Sequence, residues 1–168
     1  MNKILRVAVS GQPGSDPFAF ARLLAKELDL AFFSHRGLQR QYADAQGISI
    51  AEIERLMEYS TIDVDIGEYI RHQMEEQTRV VVEGPMAFRN LPNAFCITLI
   101  GPEALRHQGF RDRARQIYDG IDIYDRQHYH LGLDTVAMPF NEQIMTTLAI
   151  LRGAEAVASF YSRTTAKR

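Results

Sequence analysis

The sequence has few of the features that mark secreted, membrane-spanning or nucleic-acid-binding chains. Its single cysteine, Cys96, cannot form an internal disulfide, which is typical of a reducing compartment. No apolar run approaches the roughly 20 residues that span a bilayer, and the N-terminal one is too short for a signal peptide. With 19 basic and 21 acidic residues, no global field attracts nucleic acid or an anionic membrane. We expect a cytoplasmic protein that binds neither membrane nor nucleic acid.

Short apolar runs alternate with longer amphipathic stretches along the 168 residues. The runs at 4–10, 30–35, 79–84, 94–101 and 128–135 predict strands, and Cys96 lies in one of them as an expected core residue. Helices are predicted at 17–28, 36–45, 51–60, 63–77 and 142–162. A capping box of Ser49 and Glu52 opens the third helix, and Ile66, Ile70 and Met74 form one apolar stripe on the fourth. This alternation predicts an α/β fold whose parallel sheet is covered by helices.

A glycine-rich turn, SGQPGSDPF at 10–18, joins the first strand to the first helix. In a phosphate-binding loop, GxxxxGK[ST], backbone N–H groups surround phosphate oxygens, a lysine neutralises charge and a hydroxyl binds Mg²⁺. Gly11 and Gly14 remain here, but Asp16, Pro17 and Phe18 replace the second glycine, the lysine and the hydroxyl. A carboxylate repels phosphate, proline has no N–H, and phenylalanine cannot bind a metal. The alternative is an ordinary polar turn.

The chain resembles the cytidylate kinase family over nearly its full length. The resemblance rests on several motifs in the family's order: VAVSGQPGS with FARLLAKELDL, then FFSHRGLQRQYADAQGIS, IDVDI, VVVEG and IYDGIDIYDRQHY. It implies a three-layer α/β sandwich with a five-stranded parallel sheet, the P-loop kinase fold of nucleoside monophosphate kinases. It also implies a single domain over 1–168, with a short lid at about 101–117.

The resemblance also implies roles for individual residues. Arg40 matches an arginine that approaches the phosphate of the acceptor nucleotide, and Asp63 and Asp65 match a nearby acidic turn. The family usually has Gly-Arg after the third strand, where this chain has Gly84-Pro85, so one phosphate-clamping arginine is absent unless Arg89 replaces it. The resulting candidates for binding a nucleotide or another anion are Gly11, Gly14, Ser15, Arg40, Asp63 and Asp65.

The resemblance also places arginines in the lid, where they would stabilise the transferring phosphoryl group. The lid of this chain is short, but Arg111 and Arg115 fall on one helical face and are the lid candidates. Neither is assigned as a catalytic residue, because a solvated surface explains them as well. His128 and His130 lack a third placed ligand, so no metal site is predicted.

Phosphoryl transfer depends on positioning and electrostatic stabilisation. The losses in the loop and the lid therefore predict a degenerate, catalytically impaired kinase-like protein, a pseudoenzyme that acts as a binding or regulatory module. One alternative is an active CMP-type nucleoside monophosphate kinase with an atypical ATP site. Another is a structural or assembly protein that retains the fold. No cofactor is predicted, and ATP with Mg²⁺ is required only by the active alternative.

The last predicted helix carries many apolar residues: Ile144, Met145, Leu148, Leu151, Val157, Phe160 and Tyr161. We expect either that the protein's own core covers them or that they contribute to a homodimer.

Overall fold

A five-stranded sheet forms the centre of the molecule. The computed structural model describes residues 4–105 and 121–165, and the side chains of these residues except 58–59 and 155–165. The strands are β1 Leu5–Gly11, β2 Ala31–Ser34, β3 Arg79–Glu83, β4 Phe95–Ile100 and β5 Leu131–Asp134. They lie in the order β2-β3-β1-β4-β5, and every pairing is parallel. The predicted fold class is confirmed.

Helices cover both faces of this sheet and make three layers. They are α1 Pro17–Leu28, α2 His35–Gln46, α3 Ile50–Tyr59, α4 Ile62–Gln73, α5 Ala87–Asn90 and α6 Phe140–Thr165. Two short 3₁₀ turns, Glu103–Leu105 and Arg126–His128, lie between β4 and β5. Within the described ranges, no helix has the combination of length and apolar character needed to cross a membrane.

Side-chain alternation along β1 explains the two cores. Val7 and Val9 pack on one face, among residues of α1 and α6. Ala8 packs on the other face, among residues of α2 to α5. Successive residues of a strand point to opposite faces, so a strand covered on both sides must be apolar almost throughout.

The predicted apolar stripe of α4 is confirmed, since Ile66, Ile70 and Met74 are all buried. The capping box of α3 forms only in part. Ser49 Oγ accepts a hydrogen bond from the N–H of Glu52, but the Glu52 carboxylate binds the exposed guanidinium of Arg55 at 2.7 Å. A strong local cation therefore engages the side chain that the capping box would use.

The carboxyl ends of the central strands meet at one edge of the sheet. Val9 of β1 and Ser34 of β2 both lie opposite Glu83, the last residue of β3. Gly11 lies opposite Leu99 of β4. The connection after β1 runs to β2 on one side of β1, whereas the connection after β3 runs to β4 on the other side. The loop after β1 therefore lies where these connections diverge, which is the usual position of a ligand site in such sheets.

Candidate functional site

The loop between β1 and α1 is closely packed around its two glycines. A Cβ at Gly11 would lie 2.5 Å from Ser15 Oγ. Gly14 has φ +80°, and a Cβ there would lie 2.6 Å from a methyl carbon of Leu105. The hydroxyl of Ser15 donates to the carbonyl of Gln12 at 2.6 Å. Both predicted glycines are thus required by the loop conformation, and the predicted Ser15 hydroxyl is engaged within the loop.

Asp16 occupies the N-terminus of α1. Its backbone is left-handed, with φ 50° and ψ 58°, and its side chain is the N-cap. This conformation favours glycine, and among other residues Asp and Asn tolerate it best. The carboxylate accepts a hydrogen bond from the N–H of Ala19 at 3.2 Å, and Pro17 at the first helical position has no N–H. The helix end that attracts anions therefore already holds an anion of the protein itself.

Glu83 adds a second carboxyl group to this edge. Burial, and secondly the charge of Asp16, raise the pKa of Glu83 to about 7. The influence of Asp16 on this pKa indicates that the two side chains lie close together. A phosphate group entering the loop would meet two acidic groups with no lysine between them.

His35, the first residue of α2, does not supply a compensating charge. Burial lowers the pKa of His35 to about 4, so the imidazole is neutral at physiological pH. It lies against Gly84, where a Cβ would come within 2.6 Å of His35 Cβ. The Gly84 carbonyl accepts from Ser10 Oγ at 2.9 Å, and Pro85 follows with no N–H. Gly84 is therefore fixed by close packing.

The predicted acceptor-side residues lie on the helices of one face. Arg40 is exposed on α2, and Arg89 is exposed on α5. Asp63 and Asp65 lie in the first turn of α4; Asp63 is 9% exposed, and Asp65 is exposed. The expected acidic turn is thus helical.

Asp65 faces α2. Its charge contributes, after burial, to raising the pKa of Tyr42, and the Tyr42 ring meets Tyr69 of α4 edge to face at 5.5 Å. These contacts hold α2, which carries Arg40, against α4, which carries Asp63 and Asp65. The three predicted acceptor residues thus belong to one packed helix pair.

A cavity of about 380 Å³ lies beside the loop, on the side of β4 and β5. Its lining residues are Gln12, Thr98, Ile100, Tyr124, Arg126, Tyr129 and Gly132. The side-chain carbonyl of Gln12 accepts a hydrogen bond from the N–H of Gly101 at 3.1 Å. The Tyr129 hydroxyl donates to the Ile123 carbonyl, and burial is the main cause of its raised pKa. Among its described lining residues, the cavity therefore offers aromatic rings and one guanidinium, that of the exposed Arg126.

The lid candidates Arg111 and Arg115 lie outside the described residues, as does most of the predicted lid. Its described beginning, at 101–105, contacts the loop. A Cβ at Gly101 would clash with the Pro13 carbonyl oxygen, and the Leu105 side chain covers Gly14. Residues 101–105 thus hold the loop in place.

Cys96 and the two histidines near β5 have structural contacts. Cys96 is buried, as expected, and burial raises the pKa of its thiol to about 11. His128 stacks on Phe88 at 4.6 Å, and His130 Nδ1 accepts the N–H of Cys96. In the part of the chain that the structure describes, no three His, Cys, Asp or Glu residues group into a metal site.

Solved structures share this architecture. Shikimate kinase from Aquifex aeolicus superposes with a TM-score of 0.61 over 90% of this chain and 98% of that chain, at 14% identity. Shikimate kinase from Acinetobacter baumannii, in complex with shikimate, gives 0.62 over 90% and 94%, at 13% identity. A gluconokinase from Sinorhizobium meliloti gives 0.56 over 96% and 99%, at 16% identity. These likenesses confirm the P-loop kinase fold.

Sequence relatives define the family. No protein-family model matches the chain. A cytidylate kinase from Desulfurococcus amylolyticus is 26% identical over 157 residues, 79% of this chain and 84% of that protein. The cytidylate kinase of Methanosphaerula palustris is 30% identical over 155 residues, 78% of this chain and 88% of that protein. The chain belongs to the cytidylate kinase family. The resemblance predicted from the motifs is confirmed.

Two residues of this cytidylate kinase family member were missed by sequence reasoning, Glu83 and His35. Glu83 could have been noticed because it is a single acidic residue at the end of the apolar run VVVE. His35 directly follows the predicted second strand, and a side chain at the carboxyl end of a parallel strand lies near the loop after β1.

Proposed function

We propose that the protein is a catalytically impaired member of the cytidylate kinase family that binds a nucleoside monophosphate and acts as a binding or regulatory module. The observation that carries the proposal is the Asp16 carboxylate, which caps α1 at the point where a donor phosphate would bind. A bound phosphate would have to displace this cap and then lie beside the carboxyl group of Glu83. The proposal places the protein in the cytoplasm, consistent with its single free cysteine.

Three missing groups support catalytic impairment. The loop has Asp16 in place of a glycine, Pro17 in place of the charge-neutralising lysine, and Phe18 in place of the hydroxyl that would bind Mg²⁺. Phe18 is 45% exposed, and its ring packs against Phe32 at 5.5 Å. Loss of one electrostatic group commonly costs about 10²-fold in rate, so three losses leave negligible turnover.

The acceptor side supports retained binding. Arg40 is exposed on the helix that begins at the site edge, and Asp63 and Asp65 lie on the helix packed against it. A guanidinium is suited to a phosphate group, and a carboxylate is suited to hydroxyl or amino donors of a nucleoside. Because the relatives are named cytidylate kinases, the ligand we propose is CMP.

Two measurements test this function. Calorimetric titration should show CMP binding without Mg²⁺, and a coupled assay with ATP, Mg²⁺ and CMP should show no CDP formation above background. Arg40→Ala should weaken CMP binding by about tenfold or more, the value of a charge-assisted hydrogen bond. Arg71→Ala, which removes an exposed arginine at the end of α4, is the matched control and should leave binding unchanged. Rapid CDP formation would contradict the impaired centre, and absence of CMP binding would contradict the binding role.

We also propose that the protein forms a homodimer through α6. Ile144, Leu148 and Leu151 are buried in the protein's own core, so they cannot form the interface. Met145 on the same helix is 67% exposed, and Val136 just before the helix is 70% exposed. The side chains of the other predicted interface residues, Val157, Phe160 and Tyr161, are outside the description.

Light scattering at high micromolar concentration tests the dimer. We expect a dimer that Met145→Glu dissociates, because a charge in an apolar interface is costly. The matched control is Glu142→Gln, which changes an exposed residue of the same helix. A wild-type protein that remains monomeric would contradict this proposal.

A further inference from the structure

A second cavity, a groove of about 280 Å³, lies at the opposite end of the sheet from β5. Its walls include the rings of Phe18, Phe32 and Phe33, with Leu38 and Gln41 from α2. Phe32 packs with the core on one sheet face, and Phe33 packs with the core on the other. Because neighbouring residues that point to opposite faces both line the groove, it lies at the outer edge of β2, next to the strand's carboxyl end, where Ser34 and Gly37 also line it.

The edge of β2 has no neighbouring strand among the described residues. The sheet order places β2 at one end, where it pairs with β3 only. Its four residues are exposed or half-buried, whereas the middle residues of β3 are buried. An unpaired edge presents a row of backbone N–H and C=O groups to which another extended chain can hydrogen-bond.

Phe18 makes this edge apolar. The residue that replaces the Mg²⁺-binding hydroxyl of the loop leaves 45% of its surface exposed and meets Phe32 edge to face. The same substitution that removes metal chemistry from the loop therefore creates one wall of the groove. A large aromatic surface left open to water beside an unpaired strand is typical of an interaction site.

The two helix starts that flank the groove carry exposed arginines. Residues 16–23 and 35–42, the first turns of α1 and α2, contain three arginines and one acidic residue. Arg22 lies one turn after Phe18 on the same face of α1. Arg36, Arg40 and Arg22 are all exposed. The single acidic residue, Asp16, is engaged as the cap of α1.

We propose that this groove docks an extended, acidic peptide segment of a partner protein. The segment adds as a strand to the edge of β2, places an aromatic or large aliphatic side chain against Phe18, and sets its carboxylates near the arginines. A second copy of the chain fits less well, because symmetric pairing through β2 would bring two identical sets of arginines together. The docking site shares Arg40 with the proposed CMP site, and docking requires no phosphate in the loop.

Peptide selection tests the proposal. A phage library of random dodecapeptides is selected on the immobilised protein and counter-selected on the Phe18→Ser variant. The expected peptides carry net negative charge and an aromatic or large aliphatic residue. A fluorescein-labelled copy of the most enriched peptide then provides dissociation constants by fluorescence polarisation.

Phe18→Ser and Arg22→Glu should each weaken binding of that peptide by about tenfold or more, and added salt should weaken the binding further. Met145→Ser removes a different exposed apolar side chain, far along the chain on α6, and should leave binding unchanged. In the complex, hydrogen exchange should slow at the β2 amides, residues 31–34.

Three results would overturn the proposal. The first is no enriched peptide, or enriched peptides without acidic residues. The second is peptide binding that neither Phe18→Ser nor Arg22→Glu changes. The third is a dimer that Phe18→Ser dissociates, which would identify a second copy of the chain as the occupant. Arg22→Glu changes an exposed side chain, so it keeps the test valid even if Phe18→Ser reduces stability.

Discussion

Ionisation of Glu83 is expected to lower the free energy of unfolding as the pH rises, and the Glu83→Gln variant should lack this contribution. Burial, and secondly the charge of Asp16, raise the pKa of Glu83 from 4.5 to about 7. The folded state therefore holds this proton more tightly than the unfolded state does. The resulting stabilisation is fully present below pH 4.5 and is lost as the pH rises through about 7.

The raised pKa corresponds to about 3 kcal/mol of stabilisation of the folded state. Because solvent reaches part of the side chain, we reduce this value to about 2 kcal/mol. His35 acts in the opposite direction. Its pKa is lowered by burial from 6.5 to about 4, so its contribution to stability is lost as the pH falls through that range. Because His35 is present in both proteins, its effect cancels in the difference between wild type and Glu83→Gln.

Urea unfolding of wild type and Glu83→Gln between pH 4.5 and 8 measures this difference. We expect the free energy of unfolding to shift in favour of Glu83→Gln by about 2 kcal/mol across the range. Asp16→Asn in the wild-type background should reduce the shift, because it removes the second cause of the raised pKa. Glu54→Gln changes an exposed carboxylate and is the control. A difference that stays constant with pH would refute the reasoning.

Three further substitutions test the packing around the loop and the helix ends by urea unfolding. Gly101→Ala should destabilise by about 2 kcal/mol or more, because its Cβ would meet the Pro13 carbonyl; a neutral effect would contradict this packing. Phe18→Ser should cost about 1 kcal/mol, since 45% of Phe18 is already exposed; a loss of several kcal/mol would place the ring in the core. Ser49→Ala should cost about 1 kcal/mol through the lost cap, and an unchanged midpoint would count against the bond to Glu52.

Hydrophobic patterning was sufficient to predict most of the fold. The apolar runs located all five strands of the sheet, and α1 begins and ends at the predicted residues. The four-residue helix α5 was not predicted, because a single turn is too short to show a period. The packing of Phe18 was not predictable from the local sequence, because its ring is 45% exposed and packs against Phe32 of a different element.

The candidate site was predictable only where local sequence determines it. Gly11 and Gly14 could be identified because glycine in a strand-to-helix turn has a local meaning. Glu83 could not be linked to Asp16, because their proximity arises from the pairing of β1 with β3, which joins residues distant in sequence. Likewise, the low pKa of His35 results from burial, which depends on tertiary packing.

Calorimetric titration with ATP and Mg²⁺ tests the central claim most directly. The proteins compared are the wild type, the triple variant Asp16→Gly, Pro17→Lys and Phe18→Ser, and Phe18→Ser alone as the control, each checked for folding by circular dichroism. The account predicts that wild type has no dissociation constant for ATP below about 1 mM, which corresponds to a binding free energy of about 4 kcal/mol. Of the two variants, only the triple variant should bind ATP more tightly, by at least about tenfold. Micromolar wild-type affinity for ATP that disappears when Mg²⁺ is chelated would contradict it.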